Sequence, residues 1–225
     1  MNEVLDLPIL YSLRNCPFAM RARLAIFKAK KTVILRDIVL SNKPQEMLDA
    51  SPKATVPVLV NKESGVIEES LDIMLWAFNQ NDPDDFLHQG VKDNHLNKNT
   101  EMMALITQFD DQFKGCLENY KCAKRYHETN IVECRQACEA YIAQLEQRLT
   151  QHQFLISNNE SLADIALLPF IRQFARIERQ WYLQAPFPKV RAWLNSYLQS
   201  AIFTKVMTKY PLWNEKQETI IFGGN

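Results

Sequence analysis

Glycine is scarce in this chain. There are five in 225 residues, and none falls in a GxGxxG or Walker-type loop, so phosphate binding through those backbone cradles is excluded. Net charge is absent as well. Lys plus Arg and Asp plus Glu stand at 26 each, leaving no overall field to draw the chain to nucleic acid or an acidic membrane surface. No apolar run approaches the roughly 20 residues needed to span a bilayer. The opening residues, MNEVLDLPIL, lack a basic region and pass directly into a strand pattern, unlike an export signal. The five cysteines (Cys16, Cys116, Cys122, Cys134, Cys138) are odd in number and form no Cys-x-x-Cys pair. That usage fits free thiols in a reducing cytoplasm, not a disulfide framework. Hydrophobic residues nevertheless make up 47%, enough for one large core or two modest ones.

The stretch that organises the chain is LYSLRNCPFAMRARLAIFKAK, from Leu10 to Lys30. A short apolar strand (Pro8–Ser12) enters a polar turn, and Cys16-Pro17 then opens a helical pattern. Proline suits a first helical turn because no amide hydrogen is needed there. Cys16 therefore stands at the helix entrance, where unpaired amides and the positive dipole end favour a thiolate. Thr32–Val39 reads as a second strand, so the segment forms a βαβ unit with parallel strands. A short helix follows Ser41-Asn42-Lys43-Pro44 and stops at Ser51-Pro52. Thr55–Val60 is a strand whose Pro57 belongs at its start or edge. Asn61–Gly65 turns into Val66-Ile67, and Glu68-Glu69-Ser70 leads into a helix carrying Leu71, Ile73, Met74, Trp76 and Phe78. The order is β-α-β-α-β-β-α.

Tyr11-Ser12-x-Arg14-x-Cys16-Pro17-Phe18-Ala19, with Arg21, Leu24, Lys28-Ala29-Lys30, Asn42-Lys43-Pro44, Val56-Pro57-Val58-Leu59 and Glu69-Ser70, resembles the omega class of glutathione transferases. The resemblance is dense over residues 8–80. It implies an N-terminal thioredoxin-like domain (1–80), a linker (81–94) and an all-helical C-terminal domain (95–225). It also implies glutathione as co-substrate with no metal, a small electrophilic or disulfide second substrate, and a cytoplasmic homodimer with no nucleic acid or membrane partner. Cys16 would form a mixed disulfide with glutathione. Lys43 would reach the glycyl carboxylate, Val56 would pair its backbone with the cysteinyl portion, and Pro57 would be a cis proline holding that edge open. Glu69 and Ser70 would take the γ-glutamyl end, which offers an ammonium to the first and a carboxylate to the second. On residue grounds alone, Glu69 and Ser70 also read as a helix cap, Lys43 as a solvated charge and Tyr11 as a core residue, while the resemblance to other transferase classes makes Tyr11 a rival catalytic side chain. Position 19, where dithiol glutaredoxins carry a second cysteine, is Ala19. A second glutathione must then resolve the adduct.

Asn79–Asp85 is polar and turn-rich and marks the domain boundary. Beyond it the spacing is helical: Met102, Ile106, Phe109 and Phe113, then Cys134, Cys138, Tyr141, Leu145 and Leu149. Cys134 and Cys138 thus lie on an apolar stripe, as buried thiols or, with Cys116, Cys122 or His127, as metal ligands. Ser161-Leu162-Ala163-Asp164 is a helix-start box ahead of a buried helix. The tail from Tyr210 shows no periodicity, and Trp181, Tyr210 and Trp213 are candidates for an aromatic substrate pocket. The function implied is glutathione-dependent thiol transfer or reduction, of the dehydroascorbate-reductase type. The alternative is a non-catalytic adaptor on the same scaffold. A membrane-inserting, chloride-channel-like relative is disfavoured by Arg21, Arg23, Lys28 and Arg36 in the βαβ stretch.

Overall fold

A computed structural model describes residues 6–89 and 95–224. Their contacts separate two units: one runs to Asp84 and resumes at Ser200, and the other spans Asp85–Gln199. The first unit begins with β1 (Ile9–Ser12), α1 (Pro17–Lys28), β2 (Thr32–Asp37), α2 (Gln45–Ala50), β3 (Val58–Asn61), β4 (Gly65–Ile67) and α3 (Ser70–Gln80). Strand β1 pairs in parallel with β2 and antiparallel with β3, and β3 pairs antiparallel with β4. Burial alternates along β2, with Val33, Leu35 and Asp37 turned inward, as expected of a pleated strand with period two. Helix α1 packs on α3, and its Ala19, Ala22 and Ala25 are fully buried, as is Ala29 at its C-terminal cap. Strand β3 starts at Val58, directly after Pro57.

Arg23 lies on the buried face of α1 with no solvent exposure. Its Nε donates to Ser12 Oγ at 2.8 Å, one terminal nitrogen to Asp37 Oδ1 at 2.6 Å and the other to the Val206 carbonyl at 3.4 Å. Burial pushes the Asp37 carboxyl upward while Arg23 pulls it down. The guanidinium keeps its charge, so the pair is an ion pair whose removal by halves is costly.

The second unit is helical: α4 (His95–Gln108), a π-helical turn (Phe109–Phe113), α5 (Lys114–Tyr126), α6 (Ile131–Gln151), α7 (Leu162–Ile177), α8 (Arg179–Gln184) and α9 (Pro188–Leu198). Helix α7 is its centre, apolar nearly all round and buried from Leu162 to Ile171, as a helix surrounded by others must be. Its capping box forms. The fully buried Asp164 carboxylate accepts from Ser161 N–H (3.0 Å), Ser161 Oγ–H (2.7 Å), Leu155 N–H (3.0 Å) and Trp193 Nε1–H (3.0 Å). Burial pushes its pKa up to about 6 against the pull of these donors.

From Ser200 the chain rejoins the first unit as α10 (Ala201–Val206), α11 (Trp213–Lys216) and β5 (Ile220–Gly223). Strand β5 pairs antiparallel with β2 and completes the sheet in the order β4-β3-β1-β2-β5. Gly223 sits at φ +81°, and a Cβ there would lie 1.9 Å from the Lys31 carbonyl. Two boundaries therefore differ from the sequence expectation. The helical domain does not run to residue 225, because β2 offers an unpaired edge that Ile220-Ile221-Phe222 fills. The expected linker is partly packed chain: Phe86 and Leu87 are buried in the second unit, where the Phe86 carbonyl accepts from Leu162 N–H at 3.0 Å. Residues 90–94 of that linker lie outside the described residues.

Arg23→Met strands Asp37 without its counter-charge and is expected to cost about 3–5 kcal/mol in urea unfolding, with Arg23→Met/Asp37→Leu costing less than the single change. Asp164→Ala leaves four buried donors unmatched. It is expected to cost about 3 kcal/mol or more in the same measurement, beyond the ~1 kcal/mol of an ordinary cap.

Candidate functional site

The sheet topology brings the sequence-predicted residues to one end. Strands β1, β2 and β4 finish there and β3 begins there, so Cys16, Lys43, Val56-Pro57 and Glu69-Ser70 all occupy connections at that end. In open α/β sheets this is the usual place for ligands.

Cys16 is the N-cap of α1, at φ −72° and ψ 125°, with Pro17 next. Its N–H donates to the Leu13 carbonyl (3.0 Å), closing the turn after β1, and its carbonyl accepts from Met20 N–H (2.9 Å). The first turn of α1 contains no acidic side chain, so the positive end of the helix at the thiol is uncompensated. The half-buried sulfur packs at the rim of a cluster formed by Tyr11, Ile38, Met47, Val56 and Val58. Its thiol points at the Val56 carbonyl, 3.8 Å away. The Val56–Pro57 peptide bond is cis.

Glu69 is the N-cap of α3, but its side chain does not cap. It reaches instead to Lys53 Nζ in an exposed ion pair. Ser70, the first residue of α3, is buried, and the neighbouring Glu68 carboxylate accepts from Ser51 Oγ–H. Lys43 is half-buried ahead of α2, with no side-chain partner among the described residues. Sequence reasoning missed Lys53 and Ser51. Their only signal is a place in the turn before Val56-Pro57, and a long flexible lysine does not announce its partner in sequence.

Tyr11 is a core residue. It is 2% exposed, and its hydroxyl accepts from Arg36 at 2.6 Å. Burial raises its pKa more than Arg36 lowers it. The aromatic candidates divide between the units. Trp181 lies in the second, beneath the Arg135 guanidinium at 4.4 Å and edge-on to Phe174 at 6.0 Å. Tyr210 and Trp213 lie in the first. Trp213 stacks on Arg36 at 3.9 Å, and its indole N–H donates to Glu46 at 2.7 Å. That bond, with help from Arg36, holds the Glu46 carboxyl below its usual range. Asn214 Nδ2 donates to the Asn42 carbonyl at 3.0 Å, so α11 is moored to the loop that carries Lys43. Cys138 is buried, and burial pushes its thiol up to about 12. Among the described residues no three His, Cys, Asp or Glu side chains are grouped as metal ligands.

The N-terminal domain family of glutathione S-transferases matches residues 10–84, and the C-terminal domain family matches residues 104–196. The chain belongs to the glutathione transferase superfamily. It is omega-like: it is 25% identical to glutathione S-transferase omega-1 of Mus musculus over 201 residues, covering 85% of this chain and 77% of the relative. Among solved structures it is similar to glutathione transferase Omega 3C of Trametes versicolor (TM-score 0.75, 17% identity, 92% of this chain and 91% of the other). It also matches a family member from Pseudomonas fluorescens with two glutathione bound (TM-score 0.76, 14% identity, 91% and 94%). Among the described residues no helix of this transferase is long and apolar enough to cross a membrane.

Trp213→Ala removes the cover on Arg36 and the donor to Glu46. Hydrogen exchange at the Glu215 and Lys216 amides, both bonded to the Leu212 carbonyl, is expected to accelerate about tenfold, as loss of a partly desolvated cation–π contact implies.

Proposed function

We propose that this transferase carries out glutathione-dependent thiol transfer and reduction through a mixed disulfide on Cys16. The observation that carries the reading is the cysteine at the N-cap of α1, its sulfur facing the Val56 carbonyl beside Pro57. The Cys16 thiolate attacks the glutathione sulfur of a glutathionylated substrate. A Cys16–glutathione bond forms, the substrate's sulfur–sulfur bond breaks, and the electron pair leaves with the substrate thiolate, which takes a proton from water. Free glutathione then attacks the adduct's glutathione sulfur, forming oxidised glutathione and returning the Cys16 thiolate. Ala19, fully buried, occupies the place of a resolving thiol, which is why the second glutathione is required.

The tripeptide is held at the same end of the sheet. Lys43, with no competing partner among the described residues, takes the glycyl carboxylate. Val56 pairs its backbone with the cysteinyl unit along the edge that Pro57 leaves open. Glu69 takes the γ-glutamyl ammonium, which would displace Lys53 from its exposed and therefore weak ion pair with that carboxylate. Ser70, at the N-terminus of α3, receives the γ-glutamyl carboxylate.

Cys16→Ser is expected to lower thiol transfer from a glutathionylated peptide at least a hundredfold, to about the uncatalysed rate, while circular dichroism stays unchanged. Mass spectrometry of the wild-type protein after oxidised glutathione should show one adduct, on Cys16. Undiminished transfer by the serine variant would refute the mechanism.

A further inference from the structure

The connection from β2 to α2 spans residues 38–44 and carries Lys43 near its end. Part of its shape is local. Asn42 N–H donates to the Val39 carbonyl at 3.2 Å. The buried Pro44 is the N-cap of α2, and its carbonyl accepts from Met47 N–H at 3.1 Å. As the residue ahead of that proline, Lys43 is also confined to extended backbone. None of these three constraints reaches beyond the connection and its own helix, and Ser41 and Asn42 remain exposed.

An outside hold comes from α11, where two consecutive residues bracket Lys43. Asn214 Nδ2 donates to the Asn42 carbonyl at 3.0 Å, just before the lysine, and Trp213 Nε1 donates to Glu46 Oε1 at 2.7 Å, just after it. The two pairs are 172 and 167 residues apart in the chain. The bracket is itself anchored. Trp213 stacks at 3.9 Å on Arg36 of β2, whose guanidinium donates to the buried Tyr11 hydroxyl of β1 at 2.6 Å, and Leu212 bridges to Asp37. Helix α2 also sends Met47 into the apolar cluster at whose rim the Cys16 sulfur lies. The main chain is thus held on both sides of Lys43, while its side chain has no partner among the described residues. Ordering that main chain in advance lowers what a carboxylate must spend to capture the ammonium.

Resting on the assignment of Lys43 to the glycyl carboxylate above, we infer that Trp213 and Asn214 are positioning residues for glutathione. They hold the Lys43 connection where its ammonium meets the glycyl end of the tripeptide. Both act through Lys43, so the C-terminal segment sets how strongly this transferase selects for that carboxylate.

The test compares two ligands that cannot form a disulfide, S-methylglutathione and its glycinamide, in which an uncharged amide replaces the glycyl carboxylate. Their dissociation constants are measured by titration calorimetry on the full-length protein, and the ratio is taken within each variant. The wild-type protein is expected to bind S-methylglutathione about tenfold more tightly, and Lys43→Ala to bring the ratio to about one. Trp213→Ala/Asn214→Ala is expected to bring it to about three or below with Lys43 still in place. A merely structural role would weaken both ligands alike and leave the ratio unchanged. Asn214→Ala alone, a change at an exposed side chain, is expected to lower the ratio about twofold and decides the matter if the double variant does not fold. A wild-type ratio in these variants, alongside a lowered one in Lys43→Ala, would overturn the inference and leave the Lys43 assignment standing. No binding by the wild-type protein, a wild-type ratio of about one, or no change in Lys43→Ala would overturn the assignment and the inference together.

Discussion

A guanidinium shielded from water ties four elements of the first unit together. Arg23 on α1 grips Ser12 at the end of β1, Asp37 at the end of β2 and a carbonyl at the end of α10. An apolar side chain would fill the same space and cost less desolvation, but it would not specify which strand end meets which helix. The ion pair does so by geometry, since its donors are satisfied only when those ends converge. The candidate site begins just beyond them: the turn to Cys16 leaves Ser12, and the loop to Lys43 leaves Asp37.

Cys16 depends on that frame in a second way. Its orientation comes from main-chain geometry alone, from a proline that starts the helix and a turn closed by its own N–H. Among the described residues no side chain grips the sulfur apart from the apolar rim of the neighbouring cluster. Such a thiol is directional without being confined. That suits the role proposed for it, to hold glutathione in one half of a reaction and release it in the next.

Most of the first unit was legible in the sequence because its signals are local. Pro17 after Cys16, the β-branched run at Thr32–Asp37 and Pro57 ahead of Val58 each mark an element boundary through the backbone. The parallel β1–β2 pair followed from the βαβ rule and the β3–β4 pair from a short hairpin, whereas the β1–β3 and β2–β5 pairings did not. The candidate site residues were picked out for the same reason, each lying at or near such a boundary. What could not be read depends on partners far along the chain. Phe86 and Leu87 look like linker among polar neighbours until Leu162 is placed against them. Trp213 looks like a pocket aromatic until Arg36 is found beneath it. Glu69 looks like a cap until Lys53 arrives. Ile220–Gly223 carries too short a pattern to register as a strand, and only the free edge of β2 makes it one.

That last strand changes how the molecule divides. In chain order the helical unit is an insertion, bracketed on either side by segments of one sheet. A cut after Asp84 would therefore yield no finished module. It would leave β2 with a bare hydrogen-bonding edge and Arg23 without the α10 carbonyl. During synthesis, too, the sheet that carries the thiol stays unsealed until the whole helical unit has emerged.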